Sequence, residues 1–301
     1  SFARHGLSCV SMPNSPVERV SATDARRLLM SAQGLLDDPE RRATPAALDR
    51  LIRRLGFVQL DTIMAVDRAH HLTLFSRLDD YQPTMLDHLL EKKRALFEHW
   101  THDASAIAID WYPHWKHRFE QSRGSLDRPG WKKRLGDDPH GTIAHVIERI
   151  TKEGPLKSAD FEHDRKGASG AWWGWKPQKT ALEYLWRTGE LAVAAREKFQ
   201  KVYDLAERVH PHHHASDPPS REETIETLCA GAMERLVIAT HSEVFQYWNG
   251  GTPAEARAWC AGAEREGRLV RVEVESANGE DKTKPSFALV DWKERLRRLP
   301  A

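Results

Sequence analysis

Gln59 and Asp61, two apart in the stretch "FVQLDTI" at residues 57–63, are side chains whose types and spacing could do chemistry together. A carboxylate can take a proton from water and stabilise positive charge growing on a nearby carbon. An amide beside it can donate to and accept from the same water, holding it in line for attack. The stretch alternates as a strand does, which puts Gln59 and Asp61 on one face and points Leu60 into a core on the other. The plain alternative is that the two polar residues finish a strand edge, because a glutamine, leucine, aspartate run arises by chance in many proteins.

The elements that must position this pair recur along the chain. "SATDARRLLMSAQGLL" offers Ser21 or Thr23 as an N-cap for a leucine-bearing helix, and "TPAALDRLIRRLG" offers Thr44 as a cap, Pro45 at the first helical position and Gly56 past the end. "FVQLDTI" and "HHLTLFSRL" then read as strands flanking "MAVDRA", and "PTMLDHLLEKKRALFEHW" returns to helix. A second segment runs from "GTIAHVIERITKEGPLKSADF" through "KPQKTALEYLWRTGELAVA" to "EKFQKVYDLAERV". A third runs from "REETIETLCAGAMERLVIA" through "TPAEARAWCAGAEREG" to "RLVRVEVES" and "KPSFALVDW". Helix, helix, hairpin is the order of a winged helix. The recurrence at "RTGELAVAAR", "REGRLVRVEV" and "RLGFVQLDTI" predicts an α+β, mainly α, fold of three tandem winged-helix modules. Their expected bounds are 18–115 with the catalytic strand, 140–212 and 218–292, with a basic connecting segment at 116–139 and the start of a truncated C-terminal segment at 293–301.

The 301 residues are 40% hydrophobic and 30% charged, as in a soluble globular protein, and contain no apolar run long enough to span a bilayer and no secretory leader. A cytoplasmic, nucleoid-associated setting and a monomer are expected. Cys9, Cys229 and Cys260 lack C-x-x-C spacing and read as reduced thiols. Ser1 in place of methionine and the basic helix just before Ala301 read as two cut ends of something longer.

A net charge of +1 does not announce nucleic-acid binding, but residues 111–136 concentrate seven Lys and Arg against Glu120 and Asp127, with Trp111, Trp115 and Trp131 interleaved. "WKERLRRL" is a second basic run. Such segments suit a phosphate backbone, or equally a surface helix whose arginine stems cover tryptophan. "HPHHH" at 210–214 lacks the i, i+4 spacing of a helical metal site and reads as a linker; "AWWGW" at 171–175 could stack on bases or form a packing corner. "NGGTP" at 249–253 is too short for a phosphate loop. No cofactor and no metal are expected.

"DARRLLMSAQGL", "LGFVQLDTIMAVDRAHHLTLFSRLDDYQPTMLDHLL", "LFEHWTHDAS", "AWWGWKPQKTALEYLWRTGELAVAAREKFQKVYDLAERV" and the third helix–hairpin unit together resemble the AlkZ/YcaQ family of winged-helix DNA glycosylases, over about residues 18–299. The family's short motif is glutamine, an aliphatic residue, then glutamine or aspartate; Gln59, Leu60 and Asp61 are its aspartate form, as in the YcaQ-like branch. The resemblance implies a repair enzyme acting on double-stranded DNA that carries N7-alkylated or crosslinked purines, with Asp61 and Gln59 catalytic. It departs in one respect: the family continues into a β-rich segment where this chain ends.

An N7-alkylated purine already carries positive charge and leaves as a neutral ring, so one carboxylate suffices where glycosidases need two. Candidate DNA contacts are Arg68, His70 and His71 beside the strand, Arg77, and Lys176 and Lys179 at a helix start with Gln178 between them, where phosphate is favoured. His102 matches a family-like stretch and could equally serve a structural hydrogen bond. The rival reading is a non-enzymatic winged-helix regulator, in which the Asp61 carboxylate is sealed by arginine or backbone partners.

Overall fold

The computed structural model describes residues 17–38, 40–164, 177–278 and 282–300. It is a mixed α+β fold with three sheets, each flanked by helices. The first sheet takes the order Phe57–Gln59, Ala104–Ala108, Leu96–Trp100, with Gln59 opposite Ser105. The second pairs Leu156–Lys157 and Leu191–Glu197 with Gln200–Leu205. The third is the hairpin Leu269–Glu275 and Thr283–Leu289, extended by Ile238–Ala239 on one side and on the other by Glu18–Val20, which runs parallel to Leu269–Glu275.

Local chemistry explains the entry to the first strand. The helix Pro45–Leu55 starts where the Thr44 hydroxyl accepts from Ala47 N–H, and it buries Ala47, Leu48, Leu51, Ile52 and Leu55 on one face. It stops at Gly56, whose φ of +82° suits glycine and where a Cβ would come within 2.3 Å of the Trp248 ring. The chain therefore turns into Phe57 flush against Trp248, with ring centroids 5.6 Å apart.

Three expected elements differ from those observed. "HHLTLFSRL" is not a strand: Ala69–Phe75 is a helix that buries His70 and Leu74 and exposes Leu72 and Phe75. The buried set, with Leu78, is spaced by four, so the apparent two-residue alternation is incidental. "PTMLDHLLEKKRALFEHW" is helical only through Lys92; after Arg94 turns into the left-handed region, Leu96–Trp100 becomes the buried edge partner of Ala104–Ala108. The strand carrying Gln59 ends there, because the Asp61 carboxylate accepts from Ile63 N–H and makes a turn, although Leu60 N–H still reaches Ala104 O at 2.7 Å. In the third segment an extra helix, His241–Trp248, lies between the two expected ones, capped reciprocally by Thr240 and Glu243.

One core joins first and third segments: Phe97, Ile107, Trp115 and Trp248 are all buried in it. The basic stretch 111–136 serves this packing. Arg118, 5.3 Å over the Trp115 ring, donates to Trp248 O and Thr101 O; Lys116 donates to His214 O; Arg123 pairs with Glu120 and Glu190; Arg134 lies over Trp131. Two of the seven cations, Arg118 and Arg134, thus lie over tryptophan rings, while Lys116, Arg123 and Lys132 bond backbone carbonyls or carboxylates. "HPHHH" is partly core and not a plain linker: His210 is buried against Tyr112, and Pro211–Ala215 is a short helix. Cys9, "AWWGW" and Lys176 lie outside the described residues.

Burial of three histidines sets a pH dependence. Desolvation pushes His210 and His99 down to about 3 and His70 down to about 4, from 6.5. Lowered folded-state values mean that this stability is fully present above pH 6.5 and drains away as pH falls toward 4 and then 3. The urea midpoint is expected to be level above pH 7 and to fall between pH 6.5 and 5, where few carboxylates titrate; a level midpoint across that window would contradict the assignment.

Candidate active site

Gln59 and Asp61 open onto a cleft of about 410 Å³ that His70, Thr73, Arg77 and Tyr247 also line. Gln59 is exposed at the strand end and Asp61 half-buried just beyond it. The sequence brought the pair to one face, and the structure keeps them on one cleft. The carboxylate is not sealed: Oδ1 accepts one backbone N–H, from Ile63 at 2.8 Å, and no arginine or lysine pairs with it among the described residues.

His70 holds the backbone at this point. Its Nδ1 accepts from Asp61 N–H at 3.1 Å, which requires the neutral ring with its proton on Nε2. Burial first, and then the neighbouring His71, Arg68 and Arg196, keep the ring neutral down to about pH 4, against the pull of Asp61. At 2% exposure His70 is a core residue of the cleft wall.

A residue from the second sheet covers it. Phe199 stacks on His70 with centroids 5.7 Å apart and planes 20° from parallel, and the guanidinium carbons of Arg68 and Arg196 lie 3.9 and 4.2 Å from its ring centroid. Phe199 sits at the tip of a two-residue hairpin in which both Lys198 and Phe199 have positive φ. Asn-Gly would be the comfortable choice there; Lys-Phe costs about 1–2 kcal/mol per residue. The tip is held by Arg196, which donates to Phe199 O at 2.8 Å and grips Glu98 with Nε and a terminal nitrogen at 2.8 and 2.7 Å.

The other candidates fall in different places. Arg68 is half-buried, with a buried Nε that has no hydrogen-bond partner. His71 is turned to Tyr81, Nδ1 to hydroxyl 2.9 Å, and burial lowers its pKa. Arg77 lines the cleft with two donors committed to Gln33 O and Thr73 O, at 2.7 and 2.8 Å. His102 sits at 3.3 Å from Tyr247 O. Lys179 is exposed in the first turn of Pro177–Arg187 and is not part of the cleft wall. Tyr247, whose hydroxyl donates to Leu55 O at 2.7 Å, and Phe199 carried no local signal in the sequence; each reaches the site from a distant segment.

The open cleft exposes a carboxylate that no arginine or lysine pairs with among the described residues, and comparison with known proteins gives the class. Residues 52–301 match the family described as DNA glycosylase AlkZ-like, and the chain belongs to that family. It is accordingly a DNA glycosylase with a DNA substrate and a part in DNA repair, and the reading as a non-enzymatic regulator is set aside. Its fold is similar to that of the Streptomyces sahachiroi DNA glycosylase AlkZ, with a TM-score of 0.62 at 16% identity over 94% of this chain and 73% of that one. No helix among the described residues is long and apolar enough to cross a membrane.

Proposed function

We propose that this glycosylase hydrolyses the N-glycosidic bond of N7-alkylated purines in duplex DNA, including purines tied into interstrand crosslinks, as a monomer built of three winged-helix modules. The observation that carries the reading is the open Asp61 carboxylate, fixed from behind by the Asp61 N–H to His70 hydrogen bond.

The chemistry balances with the groups present. The C1′–N9 bond breaks, its electron pair moves into the cationic purine ring, and the base leaves neutral without needing an acid. Positive charge grows on the sugar, where the Asp61 carboxylate stabilises it. A water oxygen then bonds to C1′ and gives its proton to Asp61, while Gln59 hydrogen-bonds the same water and orients it. His70 acts through the backbone and not on the substrate. Arg68 and Arg77, on either side, meet phosphates, and Lys179 extends the contact along the duplex. Lys176, outside the described residues, is proposed for the same contact from the sequence alone.

The cleft that Asp61 lines is open at the surface. That suits a lesion tethered to the opposite strand, which cannot leave the duplex. The test is a parallel assay of two duplexes, one with N7-methylguanine and one with an N7-linked interstrand crosslink. Release from both supports the reading, and release from the first alone removes the crosslink from it.

If Phe199 keeps His70 in place, Phe199→Ala is expected to lower the single-turnover rate about tenfold, since displacements of about 1 Å in a catalytic group cost up to about 10². Phe199→Tyr should restore most of it. An unchanged rate in Phe199→Ala would remove the hairpin tip from the site.

A further inference from the structure

The loop that leaves Asp61 is built unlike an ordinary solvent loop. Residues Thr62–Val66 are all exposed, and three of them carry large apolar side chains: Ile63 at 72%, Met64 at 64% and Val66 at 92% exposure. The loop is nevertheless tied at three points. Ile63 N–H bonds the Asp61 carboxylate, Met64 and Arg68 form an antiparallel bridge, and Arg68 N–H bonds the Asp67 carboxylate at 2.7 Å. An Arg68 terminal nitrogen also lies 3.7 Å from the Met64 sulfur. The bridge closes a short bend whose apex is Ala65–Asp67, with Val66 at its tip, and the same carboxylate that faces the cleft anchors its base.

The charge of this loop decides what it can meet. Residues 61–67 contain two aspartates and no cation, so the loop carries negative charge that phosphates repel and no cationic side chain to pair with them. Its apolar apex, beside a carboxylate that faces the sugar, matches the faces of stacked bases, the largest apolar surface in duplex DNA. Apolar side chains that enter a base step unstack it and bend the duplex around the protein.

We propose that the Met64–Arg68 loop is a wedge: Val66, with Met64 beside it, enters the base step next to the modified purine, and the insertion seats the sugar against Asp61. The assignment rests on the reading of Asp61 as the group that meets the sugar. Insertion and carboxylate are then set by one rigid turn, so opening of the stack and alignment of the sugar occur in the same movement. Arg68, at the closing end of the bridge, stands where the strand's phosphate passes.

Two readouts test it. The first is 2-aminopurine beside N7-methylguanine, whose fluorescence rises when its stack is broken. The Asp61→Asn protein, saturating on this duplex, should raise it, and Asp61→Asn with Val66→Ser should give less than half that rise at full occupancy. The second is single-turnover release. Val66→Ser should be slower by about tenfold or more on paired duplex, as removal of a contact that offsets unstacking predicts, yet within about threefold of the wild type when the lesion sits in an unpaired bubble. Unchanged fluorescence and rate would overturn the wedge. Equal slowing on duplex and bubble would also overturn it, assigning the loop to holding Asp61. A fluorescence rise that depends on Val66, without release of any base by the wild type, would leave the wedge standing and sink the catalytic reading instead.

Discussion

Asp61→Asn is expected to lower single-turnover base release about 10³-fold, within the range found for loss of a general base or an electrostatic stabiliser. Asparagine keeps the size of the side chain, and its carbonyl oxygen can still accept from Ile63 N–H, so the turn after the strand is preserved. What goes is the proton acceptor and the negative charge facing the sugar. Duplex binding should hold or tighten slightly, because removing a negative charge near phosphates cannot weaken their attraction to the protein. Release with enzyme in excess and anisotropy of a labelled duplex separate the two effects. A large loss of binding with the rate at saturation intact would make Asp61 a DNA contact and not a catalyst.

Glu98→Gln is expected to cost about 3–5 kcal/mol of folding stability, the usual result of removing one partner from a buried ion pair. The Glu98 side chain is 2% exposed and lies between the Arg196 guanidinium and the Lys201 ammonium, at 2.7 and 3.4 Å. Lys201 is itself held 3.2 Å over the Trp186 ring, and burial lowers its pKa. Glutamine fills the same space, so the loss is electrostatic: two cations remain buried with no anion between them. Urea unfolding measures it, and Glu98→Gln with Arg196→Gln should cost less than the sum of the singles, since the double variant strands one cation fewer. A loss below 1 kcal/mol would mean that water reaches the pair. Activity should fall as well, because Arg196 carries the tip that covers His70.

How much of this was readable in the chain follows from the range of each interaction. The Ser21 and Thr44 caps are written three positions from the N–H groups they satisfy, with Thr23 an equal candidate to Ser21 in the sequence, the Gly56 stop in the glycine itself, and the third hairpin in the alternation of its own two strands. The capping box before His241–Trp248 is equally local: Thr240 and Glu243 have the spacing that starts this short helix. "HHLTLFSRL" misled because its hydrophobic residues satisfy both a two-residue and a four-residue period, and only packing of His70 and Leu74 decides between them.

The Gln59–Asp61 pair was legible because the two residues are two positions apart in one short stretch, although the strand itself ends at Gln59. Its supports were not. Glu98 and Arg196 are 98 positions apart, and Tyr247 and Leu55 are 192 apart. His70 read as a surface contact because a histidine beside an arginine in a loop resembles one, and its burial depends on Phe199 arriving from another sheet.

The measurement that bears most directly on the central claim is single-turnover release of free N7-methylguanine from duplex DNA by the wild-type protein, with duplex binding followed in the same samples. The account predicts release of one base per lesion, leaving an abasic sugar in an unbroken strand. A folded protein that binds the duplex fully and leaves the base in place would contradict it.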